Sequence, residues 1–298
     1  MLVYIAHEGG LEFMGGLPEC VRVAVGDEPT GPEVEFWVPP FLRQAPARDT
    51  LKKLPDLRVV QLLTAGVDAW VGQLPDGVTL CDARGVHSTA TGEWTVTAIL
   101  AYLHDFPAFA RAQAGGVWAY RPTDELAGKS ILIVGAGAIG EAIAARLEPF
   151  DVELVRVART ARVGVHTVDE LPALLPAADV VVLTVPLTAA TTRMVDAEFL
   201  AAMRDGALLV NAARGPVVDT DALTLELATG RIGAALDVTD PEPLPSGHPL
   251  WSMRNVLLTP HVAGSVSGTF RRAYALVGDQ VRRYVAGEPL INVVTGDY

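Results

Sequence analysis

Several features that mark other classes of protein are scarce in this sequence. Its 298 residues include two cysteines, Cys20 and Cys81, and 6% aromatic residues. The cysteines form no CxxC pair and fit no zinc-ligand spacing, so we expect a reduced, cytoplasmic protein without a metal site. No apolar run approaches the ~18 residues of a membrane-spanning helix. No Lys or Arg precedes the apolar stretch at the N-terminus, so no signal peptide is expected.

Positive charge is scarce as well. The chain has 23 Lys and Arg against 35 Asp and Glu, which gives a formal net charge of -12. A nucleic-acid-binding protein needs a basic face, and no Lys/Arg cluster supplies one, so no nucleic-acid partner is expected. Binding to an anionic membrane surface is disfavoured for the same reason. Half of the residues are hydrophobic, which indicates a globular protein rather than a disordered one.

The order of the apolar segments predicts two α/β domains. Short apolar runs alternate with breakers in the N-terminal third, as in a parallel sheet that is covered on both faces. A helical stretch over 91–113, which Pro107 is expected to break or kink, and a turn-rich loop separate this series from a second one. The second series has six candidate strands. We therefore predict an α/β fold of two doubly wound domains. A flavodoxin-like substrate domain comprises 1–94 and 267–298, and a Rossmann cofactor domain comprises 95–266.

The predicted strands are short and almost wholly apolar. Such runs, bounded by Gly, Pro and charged residues, are typical of buried strands. In the first series they cover 2–6, 21–25, 34–38, 57–63 and 79–83. In the second they cover 130–134, 152–157, 180–185, 207–211, 233–238 and 256–259.

A glycine-rich loop follows the first strand of the second series. In ILIVGAGAIGEAIAARL, Gly135, Gly137 and Gly140 have GxGxxG spacing between an apolar strand and an Ala-rich helix. The first glycine permits the tight turn, the second lets the backbone approach a pyrophosphate, and the third lets helix pack on strand. The N–H groups of Ala138 and Ile139 would face the phosphates at the positive end of the helix. The segment predicts a dinucleotide site, and a purely structural turn is the alternative.

The end of the next strand indicates which dinucleotide is preferred. An NAD-binding domain usually has an acidic residue about 20 positions after the loop, where it binds the ribose 2′-OH. Here Arg159 stands 19 positions after Gly140, with Thr160 and Arg162 beside it and no Asp or Glu. Guanidinium and hydroxyl groups bind the 2′-phosphate that a carboxylate would repel. We therefore predict NADP as the preferred cofactor and NAD as a second one; solvated surface arginines are the alternative.

Three later segments resemble a known family. NAARGPVVDTDAL, ALDVTDPEPLPSGHPLW and NVLLTPHVAG, together with the glycine loop, look like the successive signatures of the D-isomer-specific 2-hydroxyacid dehydrogenases. The resemblance is strong from about Glu93 to Gly264 and weaker before it. It implies reduction of a small 2-oxo acid, such as glyoxylate or hydroxypyruvate, to a D-2-hydroxy acid in a cleft between the two domains. It also implies a homodimer, with Trp118 and Tyr120 as candidate interface residues.

Three residues of these segments have the chemistry that such a reduction needs. Arg214 follows a strand, and its planar guanidinium can bind carboxylate and carbonyl oxygens together. His261 ends another strand and can protonate the carbonyl oxygen near neutral pH. The resemblance pairs Glu242 with His261, where its negative charge would favour the protonated ring. Taken singly, each has a structural alternative: a turn cap, a solvated loop carboxylate or a satisfied core histidine.

The resemblance assigns further residues to the substrate and the cofactor. The loop TAGVDAW is similar to the family loop whose amides hold the substrate carboxylate, which points to Ala65 and Gly66. His87 stands where several members carry Asn, and a role in substrate choice and no role at all are equally supported. His104 stands where many members carry Arg, which leaves its role open. The residues that the resemblance places at the cofactor are Val185, Pro186, Thr191, Ala212, Asp237, which would contact the nicotinamide, and Gly264.

Other functions remain open on the sequence alone. Corepressors of the same family keep the fold and the dinucleotide site, so a dinucleotide-sensing binding protein is an alternative; the added tail that would favour it is not expected here. An oxidoreductase of amino or imino acids is another, against which the lack of Lys in the motif segments argues. Glu242 argues against formate, since the formate dehydrogenases of the family carry Gln at this position.

Overall fold

The computed structural model describes residues 1–29, 31–43 and 51–296. The chain divides into two compact units. The N-terminal unit comprises Met1–His87 and Val266–Tyr298, and the central unit comprises Ser88–Ser265. The domain bounds predicted from the sequence, at 94/95 and 266/267, stay a prediction.

A five-stranded parallel sheet forms the centre of the N-terminal unit. Its strands are β1 (Leu2–Ile5), β2 (Arg22–Val25), β3 (Val34–Val38), β4 (Val59–Gln61) and β5 (Thr79–Cys81). They are ordered β2-β1-β3-β4-β5 and every pair is parallel. This is the flavodoxin-like order, as predicted. A 3-10 helix, Glu8–Phe13, follows β1, and the helix Thr269–Ala286 comes from the C-terminal segment.

Both faces of this sheet are buried along β1, which explains why Leu2–Ile5 is apolar at every position. Side chains alternate along a strand, so Val3 and Ile5 share one face while Leu2 and Tyr4 share the other. The first pair packs in a cluster with the helix Thr269–Ala286, and the second packs in a cluster with Trp37. A parallel sheet covered on both sides selects continuous runs of large aliphatic residues.

The central unit is built on a seven-stranded parallel sheet. Its strands are β6 (Ser130–Val134), β7 (Glu153–Ala158), β8 (His166–Thr167), β9 (Val180–Leu183), β10 (Leu208–Asn211), β11 (Gly233–Leu236) and β12 (Val256–Leu258). Their order is β12-β11-β10-β9-β6-β7-β8. This is the Rossmann order with one further strand at an edge, so the predicted fold class is confirmed. The predicted count of six is wrong because β8 has two residues, too few to show an apolar pattern.

Helices cover both faces of this sheet. Ile131 and Ile133 pack in one cluster with the helices Ser88–Leu103 and Ala138–Leu147, while Leu132 and Val134 pack in another. The other α-helices of the unit are Phe106–Ala114, Leu171–Leu174, Ala197–Ala202 and Thr220–Ala228. Its 3-10 helices are Glu148–Phe150, Val168–Glu170, Leu175–Ala177, Gly215–Val217 and Pro249–Trp251.

The helical stretch predicted over 91–113 is two helices. The first ends at Leu103, and the second begins at Phe106 with Pro107 in its first turn. A proline is tolerated there, because the first-turn N–H groups have no partner within the helix, but not further along. Asp105, between the two, takes a left-handed φ of 55°, a conformation that Asp tolerates better than most residues.

Cys20 is exposed, Cys81 is buried, and both are free thiols. No helix within the described residues is long and apolar enough to cross a bilayer. The same residues contain no group of three His, Cys, Asp or Glu side chains arranged to hold a metal ion.

Candidate active site

The phosphate loop leaves β6 at the point where the strand order of the central sheet reverses. Ligands of doubly wound sheets bind at such switch points, beyond the carboxyl ends of the strands. Gly135 has a φ of 116°, and a Cβ there would lie 2.6 Å from Oγ1 of Thr184, just past the end of β9. A Cβ on Gly140 would lie 2.0 Å from the Gly135 carbonyl oxygen. Both glycines therefore permit approaches that no other residue allows.

The middle glycine of the loop faces open space. A Cβ on Gly137 would meet no atom within 4 Å, and no side chain caps the helix Ala138–Leu147 that begins beside it. The first N–H groups of an α-helix have no partner within the helix and carry partial positive charge. The open space beside Gly137 can accommodate a pyrophosphate, and the N–H groups of Ala138 and Ile139 can donate to it.

The three residues predicted for the 2′-phosphate differ in their contacts. Arg162 donates from Nη2 to the Ala136 carbonyl oxygen at 2.6 Å and lies 3.3 Å from Oε1 of Glu141. It therefore supports the phosphate loop. Arg159 and Thr160 follow β7 and are exposed. Arg159 forms no hydrogen bond or ion pair within the described part of the chain, so its guanidinium is the one available to a ligand.

Four residues predicted for the cofactor lie on loops at the carboxyl ends of β9 and β10. Thr191 donates from Oγ1 to the Pro186 carbonyl oxygen at 2.6 Å, which closes residues 186–191 of the loop after β9 into a turn that follows Val185. The backbone N–H of Ala212 donates to the Leu183 carbonyl oxygen at 3.2 Å, which joins the loop after β10 to β9. Because β9 pairs with β6, these loops and the phosphate loop share one edge of the sheet.

The backbone of Arg214 is held by two close contacts. The buried Asn211 donates from Nδ2 to the Arg214 carbonyl oxygen at 3.1 Å and accepts the N–H of Ala213 at 3.0 Å. A Cβ on Gly215 would lie 1.9 Å from the Thr239 carbonyl oxygen, so the loops after β10 and β11 are in contact. Asn211 was not among the residues predicted for the site, although a lone amide at the end of a buried apolar strand is a signal for such a role.

His261 and Glu242 are brought into direct contact. Nδ1 of His261 lies 2.6 Å from Oε1 of Glu242, and their side chains are 34% and 42% exposed. The pair is thus reachable from solvent. When Nδ1–H donates to the carboxylate, Nε2 is the ring nitrogen left to exchange a proton with a substrate. His261 has a left-handed φ of 54°, and its N–H donates to the Asp237 carbonyl oxygen at 2.7 Å.

The buried carboxylate of Asp237 organises the segment that contains His261. One oxygen accepts the hydroxyl of Thr259 at 2.6 Å and the N–H of Val262 at 2.9 Å. The other accepts the N–H of Ala263 at 2.9 Å. His261 therefore lies in a turn that is fixed on both sides. The contact of Asp237 with the nicotinamide stays a prediction. Thr259 and Thr184 were not among the residues predicted for the site.

The residues predicted for the substrate belong to the N-terminal unit. Ala65 and Gly66 follow β4 in a turn where Oγ1 of Thr64 donates to the Gly66 carbonyl oxygen at 3.0 Å. Nε2 of the buried His87 lies 2.9 Å from the Leu63 carbonyl oxygen, which gives this ring a structural partner. In the central unit, Nδ1 of His104 lies 3.5 Å from Oγ1 of Thr123.

Residues 96–263 match the family model described as the NAD-binding domain of D-isomer-specific 2-hydroxyacid dehydrogenases. This stretch is more than half of the chain. The chain belongs to this family. It is therefore a dehydrogenase that binds a nicotinamide dinucleotide, as the sequence motifs predicted.

Three similar proteins illustrate the range of relatives of this dehydrogenase. A glyoxylate reductase of Thermofilum pendens is 35% identical over 257 residues, which is 80% of this chain and 75% of the relative. A mitochondrial formate dehydrogenase 2 of Oryza sativa subsp. japonica is 35% identical over 258 residues, which is 80% of this chain and 67% of the relative. The solved structure of a D-isomer-specific 2-hydroxyacid dehydrogenase from Xanthobacter autotrophicus Py2, in complex with NADPH and MES, is 34% identical with a TM-score of 0.84; the match covers 99% of this chain and 98% of that one.

Replacing Asp237 of the dehydrogenase with Asn should loosen the turn that carries His261. An amide has one acceptor oxygen where the carboxylate has two, so at least one of the three donors loses its partner. We expect the free energy of unfolding to fall by about 1–3 kcal/mol. Hydrogen exchange at the amides of Val262 and Ala263 should become faster. The control is Asp205→Asn, because the Asp205 side chain is 88% exposed. Unchanged hydrogen exchange at Val262 and Ala263 in Asp237→Asn would show that Asp237 does not fix this turn.

Proposed function

We propose that this dehydrogenase reduces a small 2-oxo acid, of the size of glyoxylate or hydroxypyruvate, to the D-2-hydroxy acid. The observation that carries the proposal is the 2.6 Å contact between His261 and Glu242 on the same sheet edge as a loop that fits a pyrophosphate. When bound, the nicotinamide supplies a hydride to the carbonyl carbon. The D configuration is carried by family membership. Free Cys20 and Cys81 favour a reducing, cytoplasmic location.

The three catalytic residues have separate tasks in this proposal. Arg214 binds the carboxylate and carbonyl oxygens of the substrate, since a guanidinium presents paired donors in one plane. His261 gives its Nε2 proton to the carbonyl oxygen, which completes the hydroxyl group of the product. Glu242 accepts the Nδ1–H bond, which orients the ring and leaves Nε2 for the substrate. In the reverse direction the neutral ring takes the proton back.

The substrate carboxylate is also held by backbone N–H groups. We assign this task to Ala65 and Gly66, because a glycine in a strand-ending turn permits close approach of the backbone. Nε2 of His87 is already 2.9 Å from a backbone carbonyl oxygen, so we assign that side chain to support of the turn.

NADP is the preferred cofactor in this proposal. Arg159 and Thr160 bind the 2′-phosphate, while Arg162 supports the phosphate loop through its hydrogen bond to the Ala136 carbonyl oxygen. The complex of the Xanthobacter relative with NADPH is in line with this preference. The residues proposed to contact the rest of the dinucleotide are Gly135, Gly137, Ala138, Ile139, Gly140, Val185, Pro186, Thr191, Ala212, Asp237 and Gly264.

Two other functions receive less support. The rice relative is a formate dehydrogenase, but Glu242 stands where the formate dehydrogenases of the family carry Gln. None of the three relatives is described as a sensor or corepressor, so the binding-protein alternative gains nothing from them.

Replacing His261 with Ala should lower kcat by roughly 10²–10⁴, the usual contribution of a general acid. The reaction is followed by oxidation of NADPH with hydroxypyruvate, glyoxylate and pyruvate. The matched control is His166→Ala, because His166 also lies 2.7 Å from a carboxylate, that of Glu170, but belongs to β8, the outermost strand of the central sheet. An unchanged kcat in His261→Ala would remove this residue from the reaction.

Replacing Arg159 with Ala should discriminate between the two cofactors. Loss of a charged hydrogen bond to the 2′-phosphate should lower kcat/KM for NADPH by about 10-fold or more and leave that for NADH nearly unchanged. Arg162→Ala is the comparison, because loss of its bond to the phosphate loop should weaken both cofactors. Equal losses for both cofactors in Arg159→Ala would overturn the 2′-phosphate assignment.

We also propose a homodimer. The Trp118 and Tyr120 side chains are 96% and 87% exposed, and large aromatic side chains in solvent mark protein interfaces. Sedimentation of the wild type should give about twice the 31.5 kDa of the chain, and the double variant Trp118→Ser, Tyr120→Ser should shift toward the monomer. A wild type found only at 31.5 kDa would reject the dimer.

A further inference from the structure

A hydrogen-bonded aromatic pair lies at the carboxyl end of β1, apart from the residues assigned above. Nδ1 of His7 lies 3.0 Å from the hydroxyl of Tyr274. Tyr274 is fully buried, and its ring fills the space where a Cβ on Gly10 would lie, 2.3 Å away. Phe270 meets the imidazole edge-on, with ring centroids 5.3 Å apart at 82°. Two side chains of the helix Thr269–Ala286 thus fix the orientation of this ring.

Burial determines the protonation of both partners. It raises the pKa of Tyr274 to about 12, so the phenol keeps its proton. It lowers the pKa of His7, against a smaller opposite effect of Asp27, so the ring is neutral at pH 7. A buried phenol donates its O–H when an acceptor is in reach, and Nδ1 of a neutral ring is one. The single ring proton of His7 is then on Nε2.

The Nε2–H group of His7 is available to a ligand. It has no hydrogen-bond partner within the described residues, and the ring is only partly buried. His7 follows the carboxyl end of β1, just as Ala65 and Gly66 follow that of β4, with β3 between the two strands. The two strand ends are therefore roughly 10 Å apart. A short acid held by its carboxylate at Ala65 and Gly66 would extend toward His7 with its other end.

Charge near His7 decides which kind of ligand group fits. The adjacent Glu8 is exposed, and Asp27 is close enough to act on the ring. Two carboxylates would repel a phosphate or a second carboxylate, and a neutral ring supplies no charge to offset this. A hydroxyl group avoids the repulsion and can accept the Nε2–H bond.

We propose that His7 is a specificity-determining residue whose Nε2–H donates to a hydroxyl group on C3 of the 2-oxo acid. The preferred substrate class is then the 3-hydroxy-2-oxo acids, of which hydroxypyruvate is the smallest. Tyr274 is a positioning residue, because it holds the ring in the tautomer that donates. The inference rests on the proposed function. Its structural alternative is that His7 does no more than satisfy the Tyr274 hydroxyl.

Two substitutions of His7 separate these roles. Asn can keep an acceptor near the position of Nδ1 and so bond Tyr274, but it has no group at the position of Nε2. Gln places an amide N–H near the position of Nε2 instead. The measurement is kcat/KM for hydroxypyruvate divided by kcat/KM for pyruvate, which has the same carbon skeleton without the hydroxyl. Thermal unfolding of each variant is measured beside it.

His7→Asn should lower this ratio by about 3- to 10-fold, the contribution of one neutral hydrogen bond, and leave the melting temperature nearly unchanged. His7→Gln should keep more of the ratio and lose more stability. Tyr274→Phe should lower the ratio less than His7→Asn does, because the freed ring can adopt either tautomer.

A ratio in His7→Asn equal to that of the wild type would overturn the inference while the proposed function stands. Equal losses of kcat/KM for hydroxypyruvate and pyruvate would also overturn the inference, since they would show that His7 has only a structural role. A wild type that reduces neither acid would instead refute the proposed function and this inference with it. A higher kcat/KM for 3-phosphohydroxypyruvate than for hydroxypyruvate would contradict the charge argument. It would thereby overturn the proposed substrate class as well.

Discussion

Parallel pairing of the central strands is the constraint on which the candidate site depends. Because β6, β7, β9, β10, β11 and β12 run the same way, the segments after them all emerge at one edge of the sheet. Gly135 and His261 stand more than a hundred residues apart in the chain and still belong to the same edge. The chemistry is therefore assembled from strand ends, and the buried strands themselves carry none of it.

Polar side chains at the strand ends then fix the loops. Thr184 bonds the phosphate loop, Asn211 bonds the backbone of Arg214, and Asp237 accepts three donors around His261. A buried polar group costs free energy unless it is paired. Each of these side chains therefore favours the loop conformation in which its hydrogen bonds are made. Glycines at 135, 140 and 215 permit the backbone contacts that these bonds require. Such prior ordering reduces the reorganisation that binding and reaction would otherwise need.

The partner of each histidine defines what the ring can do. His261 contacts a carboxylate at a solvent-accessible position, so Glu242 orients the ring while Nε2 stays within reach of a ligand. His7 contacts a phenol in a partly buried position, which favours a neutral ring that can only donate or accept hydrogen bonds. His166 also contacts a carboxylate, but it belongs to the outermost strand, β8, and both side chains of this pair are exposed. Residue type alone therefore does not show whether a histidine acts as a proton donor, as a hydrogen-bond donor or as one partner of a surface ion pair.

Apolar runs and glycine spacing reflect local burial and local sterics, so the glycine loop and every strand except β8 could be predicted from the sequence. Arg214, Glu242 and His261 were named through the family resemblance, and their roles stay a prediction. The strand β8 was missed because its two residues show no apolar pattern, whereas Pro107 already indicated a break in the helical stretch over 91–113. Which polar residues meet depends on the packing of the whole fold. The three donors to Asp237 and the bond between His7 and Tyr274, 267 positions apart, depend on which strand ends and helices become neighbours, and no local pattern carries that information.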